Sequence, residues 1–231
     1  MQPNPLPQLH DIPAGVYMMG QADGRDEERP PHEVRVDPFR LGRYQVTNEE
    51  YDHFCRSTGR APTRFREQQR HDHPRHPVTG PSWFDAAAYC EWLSAVTGQH
   101  YCLPTEAQWE WAARGGLTGK LYPWGDEPFT ARKDYATRWL RGPEIVGGSE
   151  ANGYGLCDMC ENVHEWCSDW YDPEYYAVSP ADNPRGPAKT TRKSSRGGAW
   201  RHRIKVSRCA ARSSIPPEFE YADYGFRVAC L

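Results

Sequence analysis

The 231-residue chain lacks a strong charge of one sign, a long apolar run and much aliphatic material: it carries 31 acidic and 28 basic side chains, for a formal charge of -3, and is 38% hydrophobic. Near-neutral charge removes the electrostatic footprint of a general nucleic-acid binder. No stretch approaches the roughly 18 apolar residues that a membrane-spanning helix needs, and the mean hydropathy is -0.87, so no membrane association is expected. The opening residues, MQPNPLPQLHDIPAG, have no basic n-region and no apolar h-region, which argues against a secretory signal and for a cytoplasmic protein. G-x-S-x-G and P-loop motifs are absent, and no carboxylate pair stands out by spacing for acid-base work.

What is abundant is aromatic and turn-forming: 9 Trp and 13 Tyr beside 20 Gly, 21 Pro and 8 Cys. Large rings bury much area per residue, so a core can be built from few side chains while Gly and Pro hold the backbone in turns. A helical bundle is excluded. The length suits one domain spanning 1–231, and no repeat or composition break divides it.

Capping chemistry predicts three short helices. Thr47 with Glu50 forms a capping box, followed by Tyr51, Phe54 and Cys55 on one face. Ser82 with Asp85 repeats the signal in acidic form ahead of Ala86, Tyr89, Cys90 and Leu93. Thr105 with Gln108 opens the third, which turns Trp109, Ala112 and Ala113 inward before Gly115 and Gly116 stop it. GVYMMG, HEVRVDPFRLGRYQV and Gly225 to Cys230 are the strand candidates. Residues 117 to 200 show little periodicity and predict long ordered loops, because disordered segments are poor in aromatics. The expected class is α+β.

Several phrases in order are more specific than any one alone: RYQVTNEEYDHFC (43 to 55), HPVTGPSWFDAAAYCEWLSAVTG (76 to 98), YCLPTEAQWEWAARGG (101 to 116), YPWGDE (122 to 127), NGYGLCDMCENVHEWCSDWYD (152 to 172), SRGGAW (195 to 200), RCAARSS (208 to 214) and YGFRVA (224 to 229). This series resembles the formylglycine-generating enzyme, or sulfatase-modifying factor, family over nearly the whole chain. The resemblance implies a single compact, irregular α+β domain related to the C-type lectin fold.

Family membership does not settle activity, which lives in the site. The resemblance implies oxidation of a substrate cysteine by dioxygen, with copper(I) on two cysteines that follow the RGG phrase as x-C-x4-C. Here RGGAWRHRIKVSRCAARSS places His202 and Ser207 at those positions after Trp200, in a stretch about three residues shorter. Cys209 belongs to the RCAAR phrase itself. Soft thiolates suit Cu(I), and imidazole with a hydroxyl is a poor pair for it, so copper chemistry is not expected. Trp200, His202 and Ser207 mark a vestigial cleft. The resemblance also implies disulfides from Cys90 to position 228 and from Cys209 to position 113, where Val228 and Ala113 stand. Both cysteines are therefore expected as reduced core residues, with Cys230 an alternative partner for Cys90.

For metals, the resemblance implies a structural calcium held by the carboxylates of Asp158 and Glu165 and the carbonyls of Glu161 and Val163, since Ca²⁺ favours oxygen-rich turns. A second family calcium site is expected to be lost, with Thr137 at its asparagine position. Cys157, Cys160, His164 and Cys167 form C-x2-C-x3-H-x2-C, which has enough soft ligands for zinc, but the family phrase favours packed thiols. His71, His73 and His76 form a histidine-rich loop, expected to be solvated. Residues 189 to 212 carry nine basic side chains. They form either a surface for an anionic ligand or protein partner, with Arg201, Arg203 and Lys205 facing it, or a set in which Arg196, Arg208 and Arg212 pair internally.

The leading expectation is a calcium-stabilised, non-copper binding module. The resemblance extends to variable ligand-binding proteins and toxin-neutralising immunity proteins. The rival is a non-heme metal- and oxygen-dependent oxidase working in the same cleft through His202.

Overall fold

Capping side chains set where the helices begin. The structure is a computed structural model describing residues 6–127 and 135–231. Thr47, Ser82 and Thr105 each accept from the backbone amide three residues on, while Glu50, Asp85 and Gln108 reach back to the cap amide, and the helices run α1 (Asn48–Thr58), α2 (Trp83–Thr97) and α3 (Glu106–Arg114). A cap of this kind contributes about 1 kcal/mol. Gly59, Gly98 and Gly115 end the helices in the left-handed region, where a residue without Cβ incurs no steric cost. A fourth helix, α4 (Tyr135–Arg141), was not expected.

The strands are β1 (Leu9–Ile12), β2 (Gly15–Met19), β3 (His32–Val36), β4 (Phe39–Gly42) and β5 (Tyr101–Cys102), followed by β6 (His164–Trp170), β7 (Lys193–Arg196), β8 (Ser213–Ile215), β9 (Tyr224–Gly225) and β10 (Ala229–Cys230). They form an antiparallel sheet ordered β1-β4-β10-β5, the hairpin β2-β3, and a second sheet ordered β8-β7-β6-β9 in which only the β6–β9 pair is parallel.

Two expected strands are each divided between sheets. The run from His32 to Val46 breaks at Asp37-Pro38, because proline removes a ladder donor and restricts the residue before it; β3 stays with the hairpin and β4 joins the first sheet. Likewise Gly225 to Cys230 leaves the second sheet after Gly225 and enters the first at Ala229. The stretch expected as loops contains β6 and β7, the two central strands of the second sheet.

Trp109 is fully buried where α3 meets β2, β3 and the 156–160 turn, and Tyr51 of α1 and Tyr89 of α2 pack on Phe226 while Phe54 packs on Tyr89. Charge is buried as well, much of it in ion pairs. Arg196, which is 0% exposed, lies against Glu106 and Glu110, Arg114 pairs with Glu110, and Arg212 pairs with Glu106. Burial alone would raise the Glu106 carboxyl, yet Arg212 and Arg196 outweigh it and hold it below the ordinary carboxylate range. Arg208 pairs with Glu28. Arg196, Arg208 and Arg212 are thus internal, as the second of the two sequence readings has it.

All eight cysteines are free. The alternative bridge from Cys90 to Cys230 does not form; the Cys230 sulfur instead faces Arg40 Nη2 at 2.9 Å and Gln99. Among the described residues no helix is long and apolar enough to cross a membrane.

Candidate metal centre

The second sheet brings three ligand-type side chains to one place. β6 and β9 run parallel with His164 opposite Tyr224, and the His164 amide donates to the Asp223 carbonyl at 2.8 Å. Asp223, the residue before β9, therefore lies beside the start of β6. On the other side β7 is antiparallel, with Arg196 opposite Glu165, so the chain leaving β7 passes His164. It then turns at Gly197 (φ 92) and Gly198 (φ 67). A Cβ at Gly198 would stand 2.1 Å from Ser207 Oγ, so glycine is required for that close approach. The Trp200 amide donates to the Asn162 carbonyl and the His202 amide to the Ala199 carbonyl, closing a turn that returns His202 to His164.

In this arrangement His164 Nε2 and His202 Nδ1 are 3.0 Å apart, sharing one hydrogen bond, and His202 Nε2 is 3.7 Å from Asp223 Oδ2. One ligand atom from each of His164, His202 and Asp223 lies within 4.8 Å of the others, and this is the cluster of three or more His, Cys, Asp or Glu found among the described residues. Donors about 2.1 Å from one ion are at most about 4.2 Å apart, so the three groups stand close to the spacing that one ion needs. His202 is the member able to rotate, with a side chain 33% exposed against 1% for Asp223.

Both imidazoles are held neutral, the state in which they ligate metals. Burial pushes His164 down to about 3, with His202 and Arg201 adding to it. Burial also lowers His202, with Asp223 opposing and Arg201 assisting. Tyr224 stacks on His164 at 4.8 Å between ring centroids and fixes its plane. Trp200 is buried with no partner for its indole N–H and lies edge-on to Trp139, whose ring is 47% exposed.

The structure distributes the other sequence-predicted residues differently. Of the vestigial-cleft set, His202 enters the cluster, Trp200 lines the adjoining wall, and Ser207 is buried against Gly198. The Arg201 guanidinium forks onto Asp223, with its side chain 32% exposed. Arg203 is exposed, and the Lys205 side chain lies outside the described residues. The zinc pattern is not assembled. Cys160 faces Cys209 at 4.0 Å, Cys167 points at the Glu165 carbonyl, and His164 turns away to His202. His71 is hydrogen-bonded to Thr79, and His73 accepts from the Arg75 amide.

The two carboxylates expected to hold calcium, those of Asp158 and Glu165, have partners within the protein. The Asp158 carboxylate accepts from the amides of Gly147 and Ser149, and Glu161 pairs with Arg138. Glu165, fully buried, accepts from Arg227, Trp109 and Gln45. The Arg227 guanidinium thus stands against one of the two expected calcium carboxylates. Asp223 was not singled out in the sequence. Its signal is the YADYGFR phrase, where a lone acid precedes the strand that pairs with β6.

A model described as sulfatase-modifying factor enzyme 1-like domain matches residues 1–230. The chain is 34% identical over 285 residues to a formylglycine-generating enzyme of Streptomyces coelicolor, covering 94% of this chain and 87% of that protein. It is also 34% identical over 250 residues to a protein of Chlamydia pneumoniae named serine/threonine-protein kinase pkn1, covering 99% of this chain but only 39% of the kinase. Among solved structures, PvdO from Pseudomonas aeruginosa superposes with a TM-score of 0.84 at 31% identity, covering 97% of this chain and 94% of that one.

Proposed function

The chain belongs to the sulfatase-modifying factor family, and from that membership together with its imidazole-carboxylate cluster we propose that it is a metal-dependent oxidase rather than a binding module. The observation that carries the reading is the convergence of His164, His202 and Asp223 from three separate segments. Two imidazoles and one carboxylate with open positions are the ligand set of non-heme iron(II) oxygen chemistry, whereas copper(I) favours thiolates, and none stands at positions 202 and 207. When bound, such a metal supplies a redox-active centre for dioxygen.

The chain's own residues do the rest. His164 and Asp223 are fixed by the β6–β9 pairing and by burial, so they hold position whether or not a ligand is present. In the His164–His202 hydrogen bond one facing nitrogen carries the proton and the other accepts it, and both would offer lone pairs to a bound cation once the protons move to the opposite ring nitrogens. His202, partly exposed, links the cluster to solvent and is the entry side. Trp200, two residues before His202, packs edge-on to Trp139. Of the three basic residues expected to face a partner, Arg201 is engaged by Asp223.

The overall reaction expected is a two-electron oxidation: a substrate gives up two electrons and two protons, and dioxygen leaves as hydrogen peroxide. Ferrous-loaded protein supplied with ascorbate as electron source tests this in an oxygen electrode. Uptake above free ferrous ion, accompanied by peroxide and absent in His202→Ala, is expected. Uptake no greater than that of free iron, or equal in His202→Ala, rejects the oxidase reading.

A further inference from the structure

Arg201 already occupies the carboxylate that the metal needs. Its Nε donates to Asp223 Oδ2 and its Nη2 to Oδ1, both at 2.7 Å. A bidentate fork is the strongest form of guanidinium–carboxylate contact. His202 Nε2, at 3.7 Å from the same Oδ2, is beyond hydrogen-bond distance, so the arginine and not the imidazole holds that oxygen.

Charge points the same way. Two neutral imidazoles, one carboxylate and one guanidinium sum to zero, whereas a divalent cation is favoured where the ligands leave net negative charge. Asp223 cannot leave, since its side chain is 1% exposed and its carbonyl anchors the His164 amide. Arg201 can leave: its side chain is 32% exposed, and a bound cation would replace the charge it removes from the buried Asp223.

We infer that Arg201 is a resident counter-cation that competes with the metal for Asp223 and so sets the affinity of the centre; this rests on the metal-centre reading above. A loaded centre and an intact Arg201–Asp223 fork exclude one another. A purely positioning arginine acts in the opposite sense, because its removal loosens Asp223 and weakens binding.

Cobalt(II) chloride titrated into the full chain, followed by visible absorption of the bound ion, separates the two. Arg201→Gln is expected to bind cobalt at least tenfold more tightly than the unmodified chain, with Arg201→Lys, which keeps the charge and loses the fork, in between. Equal or weaker binding by Arg201→Gln, with its melting temperature unchanged, overturns the competition while leaving the centre in place. Absence of bound cobalt in all three proteins overturns the metal-centre reading and this inference together.

Discussion

The Arg227 guanidinium holds Glu165 through both carboxylate oxygens, Nε to Oε2 at 2.7 Å and Nη2 to Oε1 at 2.8 Å, with neither side chain exposed to solvent. The same arginine donates to the carbonyls of Gly42, Arg43 and Cys157, joining the first sheet, the second sheet and the 157–163 turn. Removing one partner of a buried pair leaves an uncompensated charge, which costs about 3–5 kcal/mol. Arg227→Met is therefore expected to lose stability on that scale in urea unfolding, and a loss no larger than that of an exposed pair contradicts the assignment.

The same pair bears on calcium, because Glu165 is one of the two carboxylates expected to hold it. A ligand that binds only the folded state raises stability by about 2.7 kcal/mol at 100 times its dissociation constant, which is readily seen in a melting curve. With Glu165 engaged by Arg227, millimolar calcium and excess chelator should give the same melting temperature. A calcium-dependent rise of several degrees would show that the ion displaces the arginine.

Acid should act through the buried histidines. Burial lowers His164 to about 3, with His202 and Arg201 adding to it, and burial lowers His71 to about 4, with Arg70 next. Below an unfolded value of about 6.5 the unfolded chain takes up these protons and the folded chain does not, so stability falls as pH drops toward 4, at on the order of 1 kcal/mol per unit for each such group. Urea midpoints from pH 7 to pH 4 are expected to fall less steeply in His71→Gln than in the unmodified chain. Parallel slopes would mean that His71 is protonated in the fold.

Gly198 is where the cluster depends on backbone freedom. Its φ of +67 and the 2.1 Å approach of Ser207 Oγ to any Cβ leave no room for alanine, and a substitution that forces positive φ on a side chain costs more than about 1 kcal/mol. Gly198→Ala should keep the helical circular dichroism yet displace His202 and lose the bound metal. Retention of full metal content would show that the turn tolerates the change.

Much of the scaffold was legible in the sequence because capping is local chemistry. Thr47, Ser82 and Thr105 each announced a helix, and the inward faces carrying Tyr51, Tyr89 and Trp109 followed from period alone. The breaks after Val36 and Gly225 were not legible in the same way, since which sheet a short strand joins is a long-range matter. The site failed for that reason too. His164 sits within a zinc-like spacing with Cys157, Cys160 and Cys167, and only the parallel pairing of β6 with β9 turns it toward Asp223. Arg201 looked like a surface charge in a basic run, because nothing local reveals a carboxylate 22 residues away.

The central claim, that His164, His202 and Asp223 form one metal centre, is tested most directly by metal content. The full chain is loaded anaerobically with ferrous iron, desalted and assayed by plasma mass spectrometry beside His202→Ala and Asp223→Asn. One iron per chain, lost in both variants while their unfolding curves stay cooperative, is the result expected. No iron in the unmodified chain, or equal iron in all three, contradicts it.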